Sequence, residues 1–328
     1  MSESISKEYK GVVEEESTEI AAPGPARPAV RSGWWTISRK RSAWGVIFML
    51  PAVLYIASIM VGPVFFNFWL SLHEWNPLAS LADATWVGLD NYKFILTVDT
   101  KFLPALTNSA LYAAWRVFGN VVIGLGLALL LNSKRLKGVK VWRIALFLPI
   151  ATSPAVLANI WQAMYHKDYG ILNAFLSNFG FEPVGWLSNP DWALRGIILI
   201  ALYQYVGYYA IIFLAGLQGI PDELVDAARV DGASGFRLIW SIVLPLLRPI
   251  IAFVVVISTI YGLQVFDIVW ATTRGGPANA TNTVVLHMYQ NVFVYGRAGM
   301  GAAMAFVLFA IVMLLAIFQL RLLRSQAN

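Results

Sequence analysis

The residues best suited to chemistry lie inside long apolar stretches. Gln204 and Tyr208 stand four apart with Tyr205 beside them, which puts all three on or near one helical face. Further on, Ser258, Gly262 and Val265 fall at i, i+4 and i+7, with Tyr261 and Gln264 adjacent. Amides and hydroxyls can hydrogen-bond polyols, and tyrosine rings can cover the apolar face of a pyranose. Unpaired polar groups are costly in hydrocarbon, so these side chains must face the protein interior or water. The same residues also suit helix packing, small ones for close approach and polar ones as interhelical bonds. Both readings stand at this point.

Arg116 is the most unusual residue, a cation inside an apolar run, where insertion costs about 2.5 to 3.5 kcal/mol. Three uses fit it: an ion pair with Asp267 inside the membrane, contact with an anionic group on a solute, or snorkelling to the interface. Of the three, the structural pair with Asp267 is expected.

Bond-making chemistry has no comparable residues. No phosphate-cradling Gly-x-x-x-x-Gly-Lys-Ser/Thr occurs, so the chain has no nucleotide loop of its own and no bound cofactor is expected. Zero cysteines exclude disulfides and thiolate chemistry. The three histidines, His73, His166 and His287, are far apart and form no zinc-protease pair, so surface positions are expected for them. The chain reads as a non-enzyme with neither catalytic nor metal residues.

These residues must be positioned by membrane helices. The chain is 328 residues long and 58% hydrophobic with only 13% charged, and its mean hydropathy is +0.64. Apolar runs cover about 44–72, 104–131, 141–164, 193–217, 250–272 and 301–320, each long enough for a bilayer core of roughly 20 residues. Residues 1–42 mix Glu14-Glu15-Glu16 with Pro23, Pro25 and Pro28, a composition that suits a disordered tail. The expected architecture is therefore an all-α integral membrane protein, with a tail over 1–42 and a six-helix domain over 43–328.

Charge distribution sets the orientation. Arg39-Lys40-Arg41 precede the first run, Lys134, Arg135, Lys137, Lys140 and Arg143 fill the second connection, and Arg229, Arg237 and Arg248 the fourth. Arg321 and Arg324 follow the last run, while the odd-numbered connections are sparser in Lys and Arg. Both termini are expected in the cytoplasm. The net charge of +6 then anchors the chain to the inner face of a membrane and implies no nucleic acid.

One polar interruption, the connection 219–249, stands apart. Pro221 has a φ suited to a helix start, and Asp222 and Glu223 complement the positive end of a helix dipole. Leu224, Ala227 and Ala228 share a face, Gly232 marks a stop, and Ser234 can cap a second helix. The outcome is a short amphipathic helix with an acidic rim, suited to a partner's cleft. Its residues Asp226-Ala227-Ala228, Gly232, Ile242 and Leu244-Pro245 carry a resemblance. Their spacing is similar to the cytoplasmic loop of permease subunits of bacterial ABC importers, with Asp226 in place of the family's Glu.

That resemblance extends over about Trp44 to Leu320. It is nearest the sugar-type branch, of the maltose or glycerol-phosphate kind, in which two non-identical permeases pair. It implies a type I ABC importer permease fold with the 219–249 connection acting as a coupling helix in the bacterial inner membrane. Glu223, Leu224, Asp226, Ala227, Ala228, Asp231, Gly232, Leu244 and Pro245 would then meet an ATPase dimer, which binds ATP and Mg. The outer loop around Gly275-Gly276-Pro277 would receive an extracytoplasmic solute-binding protein, and the fourth and fifth spans would contact the sugar. Membrane lipid would surround the assembly. An anionic solute such as glycerol phosphate is the alternative within this reading. A secondary transporter driven by an ion gradient is the rival outside it, with Asp267 as its one intramembrane carboxylate, and an assembly factor without transport is another.

Overall fold

The computed structural model describes residues 34–133 and 136–325. Of the expected tail, residues 1–33 lie outside the described residues, as do Lys134 and Arg135 of the second connection. The chain divides into two compact units, Met1–Gly62 and Pro63–Asn328. In the first, helix α1 (Trp34–Ile56) runs into a π-helical turn at Ala57–Val61.

The second unit holds nearly all of helix α2 (Gly62–Ser71), then a small antiparallel ribbon of β1 (His73–Glu74) with β2 (Thr85–Trp86). Helices α3 (Asp90–Thr97) and α4 (Phe102–Asn132) follow, then α5 (Val139–Ala151) and α6 (Pro154–Met164). A short α7 (Ile171–Ser177) precedes the long α8 (Pro190–Gln218), and α9 (Asp222–Val230) occupies the next connection. The chain then continues through α10 (Gly235–Leu238), a π-turn at Ile239–Val243 and α11 (Leu244–Leu263). It ends with α12 (Asp267–Thr272), α13 (Val284–Tyr289) and α14 (Ala298–Ser325).

Among the described residues, five stretches are long and apolar enough to cross a membrane unbroken: Trp44–Ser71, Phe102–Asn132, Pro190–Gln218, Gly235–Leu263 and Ala298–Leu322. The expected third span is different. Its helices α5 and α6 meet at 100° across Thr152 and Ser153, both extended. Pro154 causes the break, because the residue before a proline is pushed out of the helical region. Ser153 then caps α6, its Oγ accepting from the Val156 N–H at 3.3 Å.

The expected fifth run, 250–272, also needs correction. The helix starts at Gly235, well inside the stretch read as loop, and stops at Leu263 before the short α12. Pro245 does not end the helix because the π-turn precedes it. The Leu244 N–H bonds the Ile239 carbonyl, and that wider turn accommodates the proline ring. At the other end the Val265 carbonyl, freed by the break, accepts a hydrogen bond from Thr283 Oγ1 at 3.1 Å.

The core is the contact of α4 with α8 and α11, made close by small residues. Ala113, Ala128, Ala201 and Ala210 are buried there. A Cβ on Gly262 would stand 2.8 Å from the Ala113 Cα, so α11 meets α4 almost backbone to backbone. Within this contact Asn120 Nδ2 donates to Ser258 Oγ at 2.7 Å.

Candidate functional site

Two broken helices and two continuous ones border an open-sided cavity of about 380 Å³. From α8, capped by Asn189 with Pro190 at its first position, come Gln204, Tyr205, Tyr208 and Tyr209. Tyr112 and Arg116 stand one turn apart on α4 and reach the same space. The break between α5 and α6 adds Ile150 and Pro154, and the end of α11 adds Tyr261. The segment Gln264 to Ile268, where α11 gives way to α12, closes the wall. Irregular backbone at membrane depth is tolerated where it borders a cavity, and both breaks do so.

The lining is aromatic and amide-rich with two charges. Arg116 is only 4% exposed, and its guanidinium carbon sits 4.3 Å from the centroid of the Tyr205 ring. Its Nε has no hydrogen-bond partner. Asp267 lines the same cavity, but the expected ion pair does not form. Among the described residues, contacts within 4.0 Å join His166 to Asp168, Arg229 to Asp226 and His287 to Asp99. Asp267 is exposed, whereas Arg116 is buried and rests on an aromatic face.

Of the expected solute-facing residues, the structure brings Gln204, Tyr205, Tyr208, Tyr261, Gln264 and Val265 to the cavity. Ser258 and Gly262 are not in this lining and lie in the α4–α11 contact. Gln204 also has a structural tie, donating from Nε2 to the Thr152 carbonyl at 3.3 Å across the α5–α6 break. Sequence reasoning missed Tyr112 and Tyr209. Tyr112 had a usable signal, a phenol one turn from an intramembrane arginine; Tyr209 had none beyond following Tyr208.

The histidines are another correction. His73 and His287 are buried at 7% and 3% exposure, not placed at the surface. His73 Nδ1 lies 2.7 Å from the Trp69 carbonyl, and His287 meets Asp99, so local partners offset the cost of burial.

The connection after α8 has the expected form. Helix α9 begins one residue later than anticipated, at Asp222, with Asp222 and Glu223 in its first turn. Gly232 ends it with φ +84°, the left-handed conformation that glycine adopts without a steric penalty. The Gly232 N–H bonds the Arg229 carbonyl at 3.0 Å and the Ala233 N–H the Ala228 carbonyl at 2.9 Å, a Schellman stop. Ser234 precedes α10 but makes no side-chain cap. Ala228 packs inward; Leu224, Ala227, Val230 and Phe236 are exposed, a small apolar surface beside Glu223, Asp226 and Asp231.

A family model described as "Binding-protein-dependent transport system inner membrane component" matches residues 120–327. The chain is 34% identical over 284 residues to a trehalose/maltose transport system permease protein of Thermococcus litoralis, covering 87% of this chain and 95% of the relative. It is 35% identical over 283 residues to a sulfoquinovosyl glycerol transport system permease protein of Agrobacterium fabrum, covering 86% and 90%. In fold it is similar to a chain of a bacterial ABC transporter involved in the import of the acidic polysaccharide alginate. That likeness has a TM-score of 0.76 at 21% identity and covers 90% of this chain and 99% of the other.

Proposed function

The chain belongs to the family of binding-protein-dependent transport system inner membrane components, and on that premise we propose that it forms half of the translocation pathway for a saccharide. It is a permease subunit with the type I ABC importer permease fold, a multi-pass inner-membrane protein. Like its curated relatives it is a transport component, not an enzyme.

The observation that carries the mechanism is the position of α9. It connects α8 directly to the helix running from Gly235 through α11, and both of these spans line the cavity. A partner that moves α9 therefore tilts two walls at once, because a membrane helix is a rigid hydrogen-bonded rod. The partner in this reading is an ATPase dimer holding ATP and Mg, docked on Leu224, Ala227 and the acidic residues around them. Leu244 and Pro245 open the helix that runs on to Leu263 and would pass the movement into it.

A second, non-identical permease would complete the pathway, and exposed Tyr261 and Gln264 would face it or the solute. An extracytoplasmic binding protein would deliver the sugar near Gly275-Gly276-Pro277. That loop is braced for such a role: Asn108 Nδ2 donates to the Asn282 carbonyl at 3.0 Å, and Thr273 and Thr281 hydroxyls meet at 2.7 Å. Both termini would lie in the cytoplasm, with lipid against the exposed apolar side chains of Trp44–Ser71. The saccharide reading draws on the relatives' named cargoes and on the tyrosine and amide lining.

The test is affinity purification from native membranes, comparing wild type with Gly232→Asp. An ATPase and a second permease should accompany wild type, and the ATPase should be lost from the variant. Wild type arriving without an ATPase, while other membrane complexes survive, would refute the coupling.

A further inference from the structure

Arg116 carries a charge that a pathway for neutral sugars does not need. It is 4% exposed, within the 31-residue helix α4, and forms no ion pair with any described carboxylate. Asp267, the carboxylate in the same cavity, is exposed and makes no ion pair with the arginine. Tyr205 holds the guanidinium by its flat face at 4.3 Å. Such stacking uses the π surface, the Tyr112 hydroxyl interacts with the same guanidinium, and Nε is buried with no acceptor, so the donors are not all satisfied.

A planar, desolvated cation with incompletely paired donors matches the oxyanion of a carboxylate, sulfonate or phosphate, which a guanidinium can bond through parallel N–H groups. Around it, Tyr112, Tyr208 and Gln204 offer the hydroxyl, ring and amide groups that suit a polyol. A neutral sugar would gain little here that glutamine could not supply, and would leave the charge without a counter-ion. We propose that the solute is an acidic saccharide and that Arg116 determines this specificity by receiving its oxyanion. The proposal rests on the saccharide-pathway reading above.

The test uses the purified complete importer in detergent and four probes that share one ring: glucose, glucuronate, glucose 6-phosphate and 6-deoxy-6-sulfoglucose. Binding is read by ligand-observed NMR at low and high salt. Wild type should bind at least one anionic probe about ten-fold tighter than glucose, with the preference shrinking in high salt. The anion that gains most identifies the oxyanion. Arg116→Gln should abolish the preference, bringing the anionic probes to the affinity of glucose, and Arg116→Lys should keep part of it. Equal binding of all four probes by wild type, or binding of none, overturns the proposal. So does an Arg116→Gln complex that falls apart while Arg116→Lys stays intact without preference, since the charge then serves assembly alone. Co-purification of the ATPase separates this failure from failure of the importer reading: with ATPase present and no anion preference, only the solute assignment falls.

Discussion

His287 Nε2 lies 2.7 Å from Asp99 Oδ2, with both side chains nearly buried at 3% and 10% exposure. The contact fastens the segment before α4 to α13, and the Asn291 amide bonds the His287 carbonyl at 2.9 Å beside it. Burial alone would raise the Asp99 carboxyl, but the His287 bond and the backbone N–H groups of Lys101 and Phe102 outweigh it. Asp99 therefore titrates below the usual carboxylate range.

A carboxyl depressed on folding contributes stability above its unfolded pKa and loses that contribution as pH falls through the folded one. The clamp should hold unchanged from neutral pH down to about 4, then weaken below that. Asp99→Asn should cost about 1–3 kcal/mol by leaving a buried group poorly paired. Thermal unfolding of the detergent-solubilised complex between pH 3 and 8 checks both: the variant should be flatter with pH at the acid end. A wild-type midpoint that already falls between pH 7 and 5 would show that another group controls stability.

Ser258 and Gly262 should behave as packing residues. Ser258→Ala removes the acceptor of a buried Asn120 amide whose Oδ1 already lacks a partner, at a cost of about 1–3 kcal/mol. Gly262→Val forces branched carbons against Ala113 and should separate α4 from α11, a larger loss. Neither change should alter which solute is preferred. Uptake competition with the complete importer, alongside thermal midpoints, would show a change in preference if these residues lined the pathway.

Gly232 permits a sharper separation of coupling from folding. A side chain there meets open space, so Gly232→Ala adds no clash and strains only the left-handed backbone, by about 1 kcal/mol. Leu224→Glu changes the exposed apolar face without strain. We expect Gly232→Ala to retain most ATPase association and Leu224→Glu to lose it, with both permeases still paired. Pull-down stoichiometry checks this, and an unaffected Leu224→Glu complex would move the docking site elsewhere.

The long spans were legible because apolar runs and flanking charge decide them without tertiary context. Helix α9 was legible because its start, face and stop are encoded locally by Asp222, Ala228 and Gly232. What was hidden depends on contacts distant in sequence. The π-turn that carries the helix through Pro245, and the Thr283 hydroxyl that lets the chain break at Val265, have no local pattern. Arg116 shows the same limit. Its cost was evident from the run around it, but Asp267 looked like the natural partner until the Tyr205 ring proved to hold the cation.

Gln204 and Tyr208 share a helical face and the cavity, yet they should fail differently. Gln204 is 3% exposed and supplies the donor for the Thr152 carbonyl, which the α5–α6 break has left without an intrahelical partner. Gln204→Leu should therefore lower stability by about 1–3 kcal/mol and loosen the 100° bend. Tyr208 is only partly buried, with its ring set edge-on to Tyr209 at a centroid distance of 5.2 Å. Tyr208→Ala widens the cavity more than it disturbs the packing. It should leave the thermal midpoint nearly unchanged while reducing uptake several-fold, with ATPase association intact. Measuring midpoint and uptake for both variants in one preparation checks the contrast. If Tyr208→Ala lost stability and kept uptake, the tyrosine would belong to the packing, and the cavity would have to bind its solute through α4 and α11.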